Sequence, residues 1–347
     1  MENPGACIQQ GEMRDLFADQ DPTEQIPKRE DLLRRFAATP FSVELELMGR
    51  IVRLESNQQA VLDLAAKFFH RYQQGRSHRP EFVWRLLCDP DPKVGSTAVP
   101  FSAFSDVNLR YVNIGQRGFL AVDFERREGV GFLPEIFFEG EARLRHRPPL
   151  DILFCMTAAS LGLVSLSGGC VGANGQGVMV FGPPNSGKTT ACYLAARLGM
   201  DFQADQVVFL DSRRDGCAWG DPFPAVFRPE TITFIPELSA DVHHSSYADL
   251  TFLYFDKSHL QPHEAKAIQP VCSIFLDRRT GCETHLREIS VEDAVARLRQ
   301  SVLFEEDANF EQQILSAVRA LAGKPAYELR YDSDPQIAAT FIRSMLQ

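Results

Sequence analysis

The sequence predicts an α/β (α+β) protein built around a mixed sheet, and three observations carry that prediction. Asn174-Gly175 sits between two apolar runs, the mark of a tight antiparallel hairpin, because both central positions of a type I′ turn need positive φ. Directly after it, the apolar run Val178-Met-Val-Phe181 gives way to a glycine-bounded segment and then to a helical pattern over residues 189–198. Upstream, residues 30–149 alternate short strand-like runs with one good helix. On this reading the chain divides into a polar arm (1–28), a smaller α+β amino-terminal domain (29–149) and a larger domain (150–347).

The arm is rich in Gln, Asp, Glu and Pro, too polar to pack a core of its own, although residues 13–17 fit a helical turn on a partner. Residues 41–48 alternate apolar and polar side chains and 50–54 partly repeat the pattern across Gly49, which predicts a hairpin. Residues 57–72 set Val61, Leu64, Ala65, Phe68, Phe69 and Tyr72 at helical spacing, with Ser56 or Asn57 placed to cap the helix. Strands are expected at 82–87, 109–114, 119–124 and 136–139, between Gly/Pro turns. Nothing in this first half carries catalytic spacing.

Residues 150–163 are apolar on most faces and predict a buried linking helix. Further strands are expected at 163–171, 177–181, 202–210, 271–276 and 327–331. Helices are expected at 291–303, entered by the capping pattern Ser290-Val-Glu-Asp293, and at 309–321 and 335–346. Residues 239–268 read as a surface excursion, and no internal repeat is visible.

Composition bounds the function. The chain has 347 residues with 44% apolar and 24% charged side chains, near the soluble average. A net charge of −10, with no basic run longer than pairs such as Arg34-Arg35, argues against a nucleic-acid surface. No apolar run approaches the ~20 residues that span a bilayer, and the start of the sequence carries no secretion pattern. The eight cysteines are scattered singly, which fits reduced thiols in a cytoplasmic protein. Cys170 near the glycine-bounded segment reads as a buried, inert thiol. His243-His244, His259 and His263 match no metal-ligand template.

The segment that carries chemistry is Gly182-Pro-Pro-Asn-Ser-Gly-Lys188-Thr189, a match to G-x-x-x-x-G-K-[ST] between a strand and a helix. The glycines let backbone N–H groups close around phosphates, and the helix N-terminus adds partial positive charge. The expected binding set is Gly182, Pro183, Pro184, Asn185, Ser186, Gly187, Lys188, Thr189 and Thr190, with ATP (or GTP) and Mg²⁺ as cofactors. Lys188 would reach the β- and γ-phosphates, while Thr189 and Asp205 would serve the metal. Asp205 stands just before the apolar run Val207-Val-Phe-Leu210.

These residues resemble the HPr kinase/phosphorylase family and the wider HPr-kinase-related group, which share a phosphate-loop fold with phosphoenolpyruvate carboxykinase. Ser167-Gly168 falls where the family has His-Gly, and Ala204-Asp205-Gln206 falls on its Ala-Asp-Asp. Phe223-Pro-Ala-Val-Phe-Arg228-Pro is similar to its Glu-Leu-Arg-Gly segment, with Val226 at the Glu and Arg228 at the Arg. Phe275-Leu-Asp-Arg278 and Ala326-Tyr-Glu-Leu-Arg-Tyr331 resemble runs of the related branch, so the resemblance spans 150 to the C-terminus. It implies a mixed-sheet phosphate-loop domain and phosphoryl transfer to a hydroxyl, a Ser of a protein or peptide. It also implies catalytic roles for Lys188, Asp205 and Arg228. By charge alone Arg278 and Arg279 could stabilise transferring phosphate as well, although arginines of this kind are ordinarily surface residues.

Ser167, Gln206 and Val226 depart from the family's His, second Asp and Glu. A second carboxylate brought near Asp205 by the fold would favour a kinase, and Asp221 is the candidate. Without one, the alternative is a nucleotide-sensing or scaffolding module that binds ATP and a partner protein without turnover. Carboxykinase activity is a distant third reading. The acceptor and a homo-oligomeric state stay open.

Overall fold

The computed structural model describes residues 38–73, 79–89, 102–106, 108–114, 118–134, 149–214, 216–222, 224–240, 242–247, 250–255, 260, 266–304, 308–332 and 334–346. The polar arm, the strand expected at 136–139, and His259 and His263 lie outside them. Among the described residues the strands form four sheets in a mixed α/β arrangement.

The first sheet has seven strands: β1 (Phe41–Leu47), β2 (Arg50–Ser56), β3 (Phe82–Asp89), β4 (Ser102–Asp106), β5 (Leu109–Ile114), β6 (Gly118–Asp123) and β7 (Glu128–Pro134). Their order is β1-β2-β3-β7-β6-β5-β4. The expected first hairpin is present, closed by Met48 and Gly49 at φ 53° and 79°. Helix α1 (Gln59–Phe69) packs Val61, Leu64, Ala65 and Phe69 inward, and a 3₁₀ turn, His70–Tyr72, extends it. Neither expected cap side chain caps it. Asn57 instead bonds both the N–H and the C=O of Cys88, and Ser56 Oγ donates to Leu86 O while accepting from Gln58 N. These two polar side chains tie β3 to the helix entry, a tertiary use that outweighs the local one.

Helix α2 (Pro149–Thr157) and a 3₁₀ turn, Ala158–Leu161, give the expected linker, stopped by left-handed Gly162. Its residues Leu150, Leu153, Phe154 and Met156 share one core with Trp84, Phe69, Phe209 and Trp219. Beyond it lie β8 (Leu163–Ser167), β9 (Gly169–Ala173), β10 (Gln176–Phe181), α3 (Lys188–Arg197), β11 (Asp201–Ala204), β12 (Val207–Asp211) and β13 (Ala218–Gly220). Next come β14 (Ala225–Phe227), α4 (Thr231–Phe234), β15 (Val242–Tyr247), β16 (Leu250–Phe255), β17 (Gln269–Arg278) and β18 (His285–Glu288). The chain closes with α5 (Val291–Ser301), α6 (Glu311–Ala322), β19 (Ala326–Tyr331) and α7 (Pro335–Ser344). Ser290 caps α5 by accepting from Asp293 N at 3.1 Å, as its spacing predicts.

The central six-stranded sheet runs β11-β9-β10-β17-β19-β18, with β10 antiparallel to β9 and parallel to β17. A second sheet, β13-β12-β8, and a third, β14-β16-β15, complete the set. One expectation is corrected here and another is refined. The strands expected at 163–171 and 202–210 are each broken, at Gly168 and at Asp205-Gln206, because the chain leaves one sheet for another at those points. Within the expected surface excursion, 242–247 and 250–255 pair as antiparallel strands, with Leu253 and Phe255 buried in the core that holds Tyr193 and Phe227. Among the described residues no helix is long and apolar enough to cross a membrane.

One buried ion pair joins the first hairpin to β12. Arg50 donates to both carboxylate oxygens of Asp211 at 2.7 and 2.6 Å and to the carbonyls of Met48 and Leu161. The two side chains are 2% and 0% exposed. Asp211 also accepts from Trp219 Nε1 at 3.2 Å and from Arg213 N at 3.0 Å. Burial pushes its carboxyl up, but these donors together outweigh that and hold it below the usual range.

Candidate functional site

The loop leaves β10 and enters α3, and its backbone needs the glycines. Asn174 and Gly175 at φ 53° and 79° close the β9–β10 hairpin, so β10 is positioned by its antiparallel neighbour as the Asn-Gly pair predicts. Gly182 (φ 148°), Asn185 (φ 65°) and Gly187 (φ 87°) then turn the chain through conformations that side chains rarely adopt. A Cβ on Gly182 would lie 2.6 Å from Ser186 Oγ and 2.7 Å from Leu276 O. A Cβ on Gly187 would lie 2.6 Å from the hydroxyl of Tyr331.

That tyrosine is a site residue that sequence reasoning missed. It lies on β19, and its buried hydroxyl donates to Ser186 O at 2.7 Å, fixing the loop from 145 positions away. Burial raises its pKa to about 12, while the charge of Arg278 pulls the other way. Lys188 Nζ donates to Gly182 O at 2.8 Å and Pro183 O at 3.0 Å, curling the cation over the loop. Burial lowers its pKa, partly offset by Cys192. Pro183, Pro184 and Asn185 are exposed, Thr189 and Thr190 half-buried in the first turn of α3, and Ser186 buried.

Asp205 reaches the loop helix through the two sheet switches, which lie side by side. Gly168 N donates to Gln206 O at 3.0 Å, pinning one break to the other. A Cβ on Gly169 would meet Cys192 Sγ, one turn after Lys188, at 2.6 Å and would lie 3.5 Å from Asp205 Cα. Asp205 is therefore buried beside α3, 1% exposed. Ser167 is exposed at the end of β8, and Gln206 donates its side-chain amide to Pro224 O at 3.3 Å. Cys170 is buried, and that burial, with Cys192 adding to it, pushes its thiol well above the usual value.

The carboxylate of Asp221 comes to the same bend. Its Oδ2 accepts from Val207 N at 3.4 Å, two residues beyond Asp205, because Gly220 pairs with Val208. Gly220 fits so tightly that a Cβ there would lie 2.0 Å from Gln203 O. Tyr72 donates to Gly220 O from the other side, so the turn after α1 clamps this segment. Burial raises the Tyr72 pKa and lowers that of Arg71, which feels Tyr72, Asp221 and Asp201. Arg228 is exposed where the chain leaves β14, a strand held against α3 by the edge-on contact of Phe227 with Tyr193 at 5.6 Å. Val226 is half-buried on β14 opposite Tyr254.

The loop fits a phosphate on two observations. At residues 182 and 187 a Cβ would collide with Ser186, Leu276 O and the Tyr331 hydroxyl, so these turns are open only to glycine, and Ser186 Oγ is buried there with no hydrogen-bond partner among the described residues. For a divalent ion, no group of three or more His, Cys, Asp and Glu converges among the described residues. Thr189 and Asp205 could still serve Mg²⁺, which keeps waters and phosphate oxygens and needs only one or two carboxylates. No family model matches the chain, and no curated protein matches it.

Proposed function

We propose that this protein binds ATP (or GTP) with Mg²⁺ and transfers the terminal phosphoryl group to a hydroxyl, a Ser of a protein or peptide, in the manner of HPr-kinase-related proteins. One observation carries the reading: a strand–loop–helix bearing Gly182, Gly187, Lys188 and Thr189, with a buried Asp205 against the same helix. The antiparallel β9–β10 entry supports the HPr-kinase-like group over purely parallel phosphate-loop folds. Lys188 would exchange its two loop carbonyls for the β- and γ-phosphate oxygens, and its burial makes that exchange favourable. Thr189 and Asp205 would hold the metal, which neutralises phosphate charge when bound. Asp221, whose Oδ2 accepts from Val207 N two residues beyond Asp205, would be the second acid in place of the family's second Asp, which here is Gln206. One of the two would orient the acceptor hydroxyl while Arg228 faces the developing charge.

The alternative reading, ATP-dependent sensing without turnover, draws on Gln206 and Ser167, whose side chains cannot act as a base at neutral pH. Incubation with γ-labelled ATP, Mg²⁺ and candidate partner proteins separates the two. A kinase gives label on a partner hydroxyl that Lys188→Ala and Asp205→Asn both abolish. Tight, Lys188-dependent binding with neither transfer nor hydrolysis sinks the kinase and leaves the sensor.

A further inference from the structure

We propose that Arg278 binds the terminal phosphate of the nucleotide, an assignment that rests on the nucleotide-binding reading above. Parallel strands β17 and β19 pair Ile274 with Tyr327, Leu276 with Leu329, and Arg278 with Tyr331. Directly paired residues send their side chains to the same face of a sheet. Cys272, Ile274, Leu276, Leu329 and Tyr331 all join the core that packs on the loop helix, so Arg278 continues that face past the end of the core. Its partner Tyr331 already touches the loop, donating to Ser186 O. The strand end itself abuts the loop, since Leu276 O would lie 2.7 Å from a Cβ on Gly182. The guanidinium charge acts on the Tyr331 hydroxyl, which puts it within electrostatic reach of residues 186 and 187.

What singles out Arg278 is that its neighbours are committed elsewhere. Arg279 and Arg330 hold Asp277 at 3.0 and 3.2 Å on the opposite face. Arg287 and Arg297 hold Glu328 at 3.0 and 2.6 Å. The Arg278 side chain is exposed and makes no hydrogen bond or ion pair among the described residues. A planar guanidinium with five free donors beside a phosphate cradle is suited to bidentate binding of phosphate oxygens. Because Lys188 springs from the first turn of α3 and Arg278 from the end of β17, the two cations would grip the phosphate chain from different elements.

Calorimetric titration of the full chain with ATP and with ADP, in Mg²⁺, tests this. Arg278→Gln should weaken ATP by about tenfold to a hundredfold and leave ADP unchanged. Arg278→Lys should recover part of the loss, and Arg287→Gln should bind both nucleotides as the wild type does. Unchanged ATP affinity in Arg278→Gln, or equal losses for ATP and ADP, overturns the assignment. If the wild type binds and Lys188→Ala does not, while Arg278→Gln matches the wild type, this inference alone fails. A wild type that binds no nucleotide removes the parent reading and this one with it.

Discussion

Removing the carboxylate of Asp211 should be among the most destabilising single changes outside the loop. The perturbation leaves Arg50 charged, 2% exposed, and stripped of both of its charge-assisted bonds, with only the carbonyls of Met48 and Leu161 left as acceptors. Breaking one side of a buried pair costs about 3–5 kcal/mol, because an uncompensated charge stays in a low-dielectric site. The indole N–H of Trp219 loses its acceptor as well. With a urea m-value near 3 kcal/mol/M, the midpoint of Asp211→Ala should fall by about 1–1.7 M. The chain's two tryptophans serve as reporters: Trp84 lies in the seven-stranded sheet, and Trp219 touches Asp211 itself. Both should report the same lowered midpoint. Glu44→Ala is the contrast, since Arg53–Glu44 pairs at 3.0 Å with both side chains over 40% exposed, and should cost under about 1 kcal/mol. Arg50→Met combined with Asp211→Leu should recover much of the loss, as apolar replacements of buried pairs do. An Asp211→Ala cost no greater than that of Glu44→Ala would mean that the buried pair does not hold this junction together.

Further outcomes follow from the same contacts. Gly187→Ala places a Cβ 2.6 Å from the Tyr331 hydroxyl at φ 87°, and should lower both stability, by about 1–3 kcal/mol, and nucleotide affinity. Tyr331→Phe alone should cost about 1 kcal/mol for the lost bond to Ser186 O. In the double variant the nearest ring atom is 4.0 Å away, so the losses should be clearly less than additive in a thermal-melt cycle, and strict additivity would contradict the packing. Glu328 is held at about 2, first by its bond to Arg287 and then, against burial, by Arg297. Its folded value lies below the free-glutamate value of about 4.3, so its contribution is present above that pH and disappears as pH falls towards 2. Between those limits Glu328→Gln should flatten the acid loss of stability by about 1–3 kcal/mol, measured by urea unfolding at successive pH values.

The legible parts of this protein are those whose cause is local. Asn174-Gly175 dictates its own turn, the glycines and Lys188 define the loop, and Ser290 caps its helix by a contact three residues away. What stayed hidden depends on distant partners. Residues 163–171 and 202–210 read as single strands because apolar residues stand on both sides of the short polar or glycine breaks. Only the pairing of β8 with β12 and of β9 with β11 reveals that Gly168 and Asp205-Gln206 switch sheets. The β15–β16 hairpin was obscured by the polar run His243-His244-Ser245-Ser246, whose apolar support comes from Leu253 and Phe255 across the turn. Tyr331 was legible only as part of a closing strand. Its role needs the 145-residue separation to be closed by the fold. Asp221 was nameable as an acid near a proline, and the register of β12 with β13 is what carries its carboxylate to Val207 N, two residues beyond Asp205.

Everything proposed for this protein depends on residues 182–189 binding a nucleoside triphosphate. Equilibrium titration of ATP and GTP onto the purified chain, with and without Mg²⁺ and beside Lys188→Ala, tests it most directly. Saturable, Mg²⁺-strengthened binding of at least one of the two nucleotides is expected, lost in Lys188→Ala while the melting temperature of that variant stays near the wild type. Absence of binding to the folded wild type, or binding that Lys188→Ala leaves intact, would contradict it.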